Sequence, residues 1–171
     1  MNEAPHEYTQ RILGYMEGKQ PLAVLAASAK KLDCLIKDVS TAKLRARPAP
    51  EKWSVSEIIV HLVDAEIVSG FRMRLILGSP GTPILAYDQD RWVTSGHYDN
   101  RDPRKSVEQF RVLREANLAL LESLKPEQWK HHGMHSERGQ ESIEHIVRMC
   151  AGHDINHLQQ IEKILERRAI R

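Results

Sequence analysis

The amino-acid sequence predicts an all-α protein, a four-helix bundle with long inter-helix loops, on three observations. Apolar residues recur at helical spacing in four regions, the alternation typical of strands is absent, and no Asn-Gly or Asp-Gly pair marks a tight hairpin. Helix start and stop signals bracket the same four regions.

The first region runs from about Glu7 to Ile36, with Leu22, Leu25, Ala29, Leu32 and Ile36 forming one stripe. Pro21 follows Gly18 closely and has no amide hydrogen to give the preceding turn, so this region forms one bent helix or two short ones. A second helix starts after Pro48-Ala49-Pro50, where Ser54 and Glu57 make an S-x-x-E capping box, each side chain satisfying a backbone donor of the first turn. It continues to about Leu77 and stops at Gly78. The third opens at Asp102-Pro103, a capping carboxylate followed by proline at the first helical position. It presents Val107, Phe110, Leu113, Leu120 and Leu124 before Pro126 ends it. The fourth begins near Ser142 and reaches the basic end Arg167-Arg168.

Four amphipathic helices of roughly 20 to 30 residues bury their stripes most simply against one another, an architecture that also builds metal and cofactor sites in its core. With 171 residues and no internal repeat, the expectation is one domain spanning residues 1–171. The connection from Gly78 to Asp102 is long and carries Tyr87, Asp88, Asp90, Trp92, His97 and Tyr98. Loops of this length inside a compact domain serve as lids or binding loops, and the aromatic content favours an ordered one in which Trp92 plugs the bundle end or covers a substrate.

Composition removes several classes of function. Hydrophobic residues at 41% and charged residues at 28% describe a globular chain rather than a disordered one. A net charge of +2 announces neither a nucleic-acid nor a membrane-surface partner. No stretch approaches the roughly 18 apolar residues of a membrane span, and Met1-Asn2-Glu3-Ala4 begins no secretory signal. The two cysteines, Cys34 and Cys150, form no C-x-x-C motif, so a reducing cytoplasm is the expected setting.

The chemical signal lies in the nine histidines. His153 and His157 are four residues apart on the fourth helix, which projects two imidazoles from one face toward a common ion. Spacing alone decides little, because His131 and His135 repeat it in a glycine-containing segment with no helical pattern. Placement says more. At about 100° per residue, Ile143, Ile146, Val147, Cys150, Ile161, Ile164 and Leu165 define one stripe, and His153, Asp154 and His157 fall in it or at its edge. Buried polar groups need a partner, and a metal ion is one.

On the second helix His61 sits among Ile58, Leu62, Ala65 and Val68. A lone histidine there is ordinarily a satisfied core residue. If it faces the fourth helix, three neutral imidazoles surround one position and leave a coordination site open, the arrangement of a catalytic centre. Imidazole ligands suit Zn, Ni, Fe or Cu and disfavour Mg or Ca; the divalent ion expected here is Zn or Ni, with Fe and Mn as alternatives. Asp154 and Gln160 are candidates to orient a ligand imidazole or hold a bound water, as helix-surface hydrogen bonding would equally explain. Cys150 reads as a buried apolar residue, Glu57 as a cap, Asp64 and Glu66 as exposed helix charge, and Arg72, Arg74, Arg167, Arg168 and Arg171 as solvated faces.

Two segments, Lys52-Trp53-Ser54-Val55-Ser56-Glu57-Ile58-Ile59-Val60-His61-Leu62-Val63-Asp64-Ala65-Glu66 and Gly152-His153-Asp154-Ile155-Asn156-His157-Leu158-Gln159-Gln160-Ile161, resemble the DinB-like (DinB/YfiT) superfamily. Between them, Tyr87-Asp88-Gln89-Asp90-Arg91-Trp92 and Gly133-Met134-His135-Ser136-Glu137-Arg138-Gly139 extend the resemblance in the same order over nearly the whole chain. The resemblance implies a four-helix bundle in which His61, His153 and His157 hold a divalent metal, and it implies a homodimer. It adds what spacing does not show, that the three histidines converge.

Activities in that family include transfer of low-molecular-weight thiols to electrophiles and thiol-dependent isomerisation, and many members are described as metal-dependent hydrolases. The leading expectation is therefore an enzyme that binds a divalent metal and a low-molecular-weight thiol cosubstrate and transfers the thiol to a small electrophile. A hydrolase that activates water at the same metal is the alternative, and a non-catalytic metal- or ligand-binding stress protein is the third. Asp154, Gln160, Asp88, Trp92 and His135 are the candidates to support the metal or line a pocket for the small-molecule substrate.

Overall fold

The computed structural model describes residues 3–169, with side chains described to Glu166. Arg171 lies outside the described residues, as do the side chains of Arg167 and Arg168. Helices α1 (Pro5–Gly14) and α2 (Pro21–Ile36) divide the first apolar region in two, with the break at Pro21, which opens α2 as its first residue. A short α3 (Thr41–Arg45) leads to α4 (Val55–Gly78), whose capping box forms as the sequence predicts: Ser54 Oγ accepts from the Glu57 amide, and Glu57 Oε2 accepts from the Ser54 amide. After α5 (Gln89–Ser95) comes α6 (Pro103–Glu122), where the Asp102 side chain accepts from the Arg104 and Lys105 amides. The long α7 (Ile143–Ala169) closes the chain.

Helices α2, α4, α6 and α7 form the bundle. α2 and α4 each pack against both α6 and α7, so α2 stands at the corner opposite α4 and α6 opposite α7. The interior has three levels. One end is apolar, built from Ile58, Ile59, Leu62, Phe110, Leu158 and Ile161, and the other from Leu25, Met73, Ile76, Leu121, Ile146 and Val147. Between them, on the turns separating these stripes, lie the buried polar residues Glu66, Arg114, Asn117, Asp154 and His157. Among the described residues no helix is long and apolar enough to cross a membrane.

The mostly helical bundle is as the sequence predicts, and two details differ. It also carries a small sheet of β1 (Pro83–Ile84), β2 (His132–His135) and β3 (Gly139–Ser142) in that order, β1 parallel and β3 antiparallel to β2. Its hairpin turns through Gly139 at φ 74°, and the strands are too short for an alternating pattern to register. Trp92 does not plug the bundle end. It sits on α5 at 37% exposure, its ring 4.5 Å from that of Tyr87, while Val93 and the fully buried Tyr98 pack on Val60 in its place. The Tyr98 hydroxyl donates to Asp64, so Asp64 anchors the long connection instead of being free helix charge.

Gly152 sets how closely α1 approaches α7. A Cβ there would fall 2.2 Å from the Ile12 carbonyl oxygen, backbone that cannot move aside without shifting α1. Gly152→Ala is expected to destabilise the protein by about 1–3 kcal/mol, the range for overpacking a tight contact, measured as a lowered denaturation midpoint with unchanged m-value.

Candidate metal centre

α4 and α7 are neighbours in the bundle, and their facing turns carry His61 on one and His153 and His157 on the other. All three Nε2 atoms turn to one point. His153 Nε2 lies 3.0 Å from His61 Nε2 and 3.1 Å from His157 Nε2. His61 is 1% and His157 8% exposed, while His153 is partly exposed and lines an adjoining cavity.

The donor set fits a divalent ion. Each imidazole nitrogen has one lone pair or one proton in the ring plane, so His153 Nε2 cannot hydrogen-bond well to both neighbours at once. Three ring nitrogens within 4.8 Å of one another, two of the separations being 3.0 and 3.1 Å, instead match ligands that share an ion at about 2.0–2.1 Å. Orientation supports this: His157 Nδ1 donates to Gln160 Oε1 at 2.9 Å, which leaves the His157 lone pair on Nε2, toward the other two. Gln160 is thus placed to orient the His157 imidazole. Burial keeps the trio unprotonated, lowering His61 to about 3 and His157 to about 4 and pushing His153 well below its ordinary value, with the neighbouring histidines adding to the effect on His61 and His153.

Beside the trio lies a buried ion network the sequence reading missed. Arg114 of α6 donates through Nη1 to Asp154 Oδ2 at 2.6 Å and through Nη2 to Glu66 Oε2 at 2.7 Å, while Nη1 also reaches the Leu25 carbonyl at 3.0 Å. Asn117 donates to Glu66 Oε1 at 2.9 Å. Glu66 is 5% exposed and is not the solvated helix charge its neighbours in sequence suggested. Asp154 adjoins the histidines but makes its hydrogen bonds to Arg114. One guanidinium between two carboxylates leaves a residual negative charge inside the bundle, an environment that favours a cation nearby.

The cavity beside His153 has a volume of about 450 Å³. His135 and Asp88 line it, as do Cys150, Arg72, Tyr8 and Tyr87. Asp88 also caps α5, accepting from the Arg91 amide at 3.0 Å. Trp92 stays outside the lining and backs Tyr87. Cys150, read from sequence as core, faces the cavity, where its thiol donates to Ser69 Oγ at 3.2 Å and burial pushes it up to about 12.

A model of the DinB superfamily matches residues 25–161. The chain belongs to that superfamily. The chain is also similar to a protein of Oceanobacillus iheyensis named "putative metal-dependent hydrolase", 27% identical over 68% of this chain and 67% of its own, and to YfiT of Bacillus subtilis, bearing the same description, 23% identical over 85% and 83%. The solved structure of YfiT, described as an unusual four-helix bundle topology, superposes with a TM-score of 0.81 at 21% identity, covering 99% of this chain and 91% of that one. The DinB fold is therefore this chain's fold.

The buried histidines make metal-free stability depend on pH in a definite sense. The unfolded chain protonates them below about 6.5, whereas His61 and His157 in the folded chain stay neutral to about 3 and about 4. Between those limits the unfolded state binds more protons, so stability falls as pH falls, by on the order of 1 kcal/mol per pH unit for each such histidine. Denaturant unfolding of chelated protein from pH 7 to 4.5 is expected to show this slope, and His61→Gln with His157→Gln to flatten it. An unchanged slope in that double variant contradicts the neutral trio.

Proposed function

We propose that the chain is a divalent-metal-dependent enzyme that joins a low-molecular-weight thiol to a small electrophile, with His61, His153 and His157 as the metal ligands. The observation that carries the metal dependence is the convergence of three lone-pair-bearing Nε2 atoms on one point at the wall of a cavity. A divalent ion held by three imidazoles supplies a positive charge and open coordination positions, which lower the pKa of a thiol or a water that comes to it.

The chain's own groups favour one of the two nucleophiles. Cys150 holds its proton at neutral pH and is no nucleophile itself. Glu66 and Asp154 both serve Arg114, so neither is a free carboxylate able to take a proton from water and return it to a leaving group. A thiol needs no such base once its pKa is lowered, and this favours thiol transfer. Tyr8, Tyr87, Leu62 and Val68 give the electrophile an apolar wall, and the Tyr87–Trp92 pair holds the long connection over the cavity. Hydrolysis is the second reading, favoured by the names its relatives carry.

The test is a comparison of Zn- and Ni-loaded protein with glutathione, cysteine and 2-mercaptoethanol against 1-chloro-2,4-dinitrobenzene, and with p-nitrophenyl acetate in the absence of thiol. Thiol conjugation at least about tenfold above background, lost in His153→Ala, is the expected result. Ester turnover that needs no thiol and is lost in the same variant would replace this reading with the hydrolytic one.

A further inference from the structure

The cavity is lined by two polar groups, Arg72 and His135, that neither the metal centre nor an ion pair among the described residues uses. Among the described residues that line it, Arg114 is neutralised by Glu66 and Asp154, and Arg138 by Glu141, to which it donates through Nε at 2.7 Å and Nη2 at 3.1 Å. Arg72 is different. Its one hydrogen bond is from Nη2 to the Leu85 carbonyl at 2.6 Å, its guanidinium lies 5.8 Å from the Tyr87 ring centre, and it makes no ion pair with a described residue. A half-buried guanidinium whose remaining donors meet no protein acceptor among the described residues is free to take an oxyanion from the cavity.

The second group is His135, 4% exposed on β2. Its Nδ1 accepts from the Glu137 amide at 3.2 Å, so the proton of the neutral ring resides on Nε2. Nε2 is buried and has no hydrogen-bond partner among the described residues. Desolvation, reinforced by Arg138 and Arg72, keeps the ring neutral, which makes Nε2–H a donor and not an acceptor. The sheet brings the two residues together: Ile84 is the register partner of His135, and the next residue, Leu85, accepts from Arg72. Of the carboxylates on the same cavity, Glu3, Asp88, Asp90 and Glu137 are exposed, and the buried Glu66 and Asp154 are both held by Arg114.

The geometry points to an oxyanion pocket beside β1 and β2 in which Arg72 and the Nε2–H of His135 hold the carboxylate of a small substrate whose apolar body lies along Tyr8, Tyr87 and Val68. This rests on the reading that the cavity receives the substrate, and it assigns that substrate a class, a small apolar carboxylate. Arg72 supplies a charge-assisted fork and His135 a single directional donor, so Arg72 carries more of the affinity. Both are positioning residues: the oxyanion they hold fixes where the rest of the molecule lies relative to His153.

Phenylacetate and its neutral isostere phenylacetamide test this by calorimetric titration of the purified full chain, with histidine side-chain nitrogen spectra recorded alongside. The acid is expected to bind at least about tenfold more tightly than the amide and to move the His135 Nε2 signal. Arg72→Gln is expected to remove that preference, Arg72→Lys to restore part of it, and His135→Gln to weaken the acid severalfold, all with wild-type metal content and circular dichroism. His153→Ala, which empties the metal centre, is expected to keep the preference. Equal binding of acid and amide overturns the inference. A preference that survives Arg72→Gln and disappears in His153→Ala also overturns it, since the metal would then hold the carboxylate and the metal reading alone would stand. A preference confined to Arg72 in a protein that binds no metal has the reverse meaning: the pocket stands and the metal reading fails.

Discussion

The guanidinium of Arg114 is the point on which the rest of the molecule depends. It extends from α6 across the bundle to the opposite corner, where Asp154 of α7 receives it, and on the way it bonds Glu66 of α4 and the Leu25 carbonyl of α2. All four bundle helices therefore meet at one planar group. Apolar contacts tolerate small slides of one helix on another, but a planar fork facing two carboxylates does not. Removing one partner from such a network leaves an uncompensated buried charge, a cost of about 3–5 kcal/mol.

This constraint has a chemical result. Asp154 is the neighbour of His153, and Glu66 lies just beyond His61 on α4, so the bonds that fix the two carboxylates also fix the relative height of the turns that bring the three Nε2 atoms together. The same network consumes the carboxylates that a hydrolytic site would use as acid or base, and it leaves a net negative charge beside a cluster of neutral imidazoles. The centre is thus arranged to attract a cation while offering an incoming nucleophile little proton-transfer help. On the proposed function, catalysis would rely on the properties of the cation and the placement of the substrate.

Much of this was legible in the amino-acid sequence, for identifiable reasons. The caps Ser54 and Asp102 and the break at Pro21 are local signals, and each lies where it was read. The interruption of the α7 stripe by His153, Asp154 and His157 marked the polar level of the bundle, because a helix stripe is a projection that survives folding. Pairings across the bundle left no such mark. Glu66 and Asp64 resemble surface charge until Arg114 and Tyr98 arrive from distant segments, and nothing in the spacing of α6 distinguishes Arg114 from its exposed neighbour Arg111. The small sheet was missed because strands of two to four residues carry no period. His135 was singled out through the segment that resembles the family, but its role depends on a β2 register that sequence does not display.

The central claim is that three buried imidazoles share a divalent ion, and elemental analysis of the untagged protein, purified without chelator, tests it most directly. The account predicts about one equivalent of Zn, Ni, Fe or Mn per chain in the wild type, and loss of that metal in both His61→Ala and His157→Ala variants that keep the helical content of the wild type. A wild-type protein that is metal-free and takes up none on dialysis, or one whose metal survives both substitutions, would contradict it.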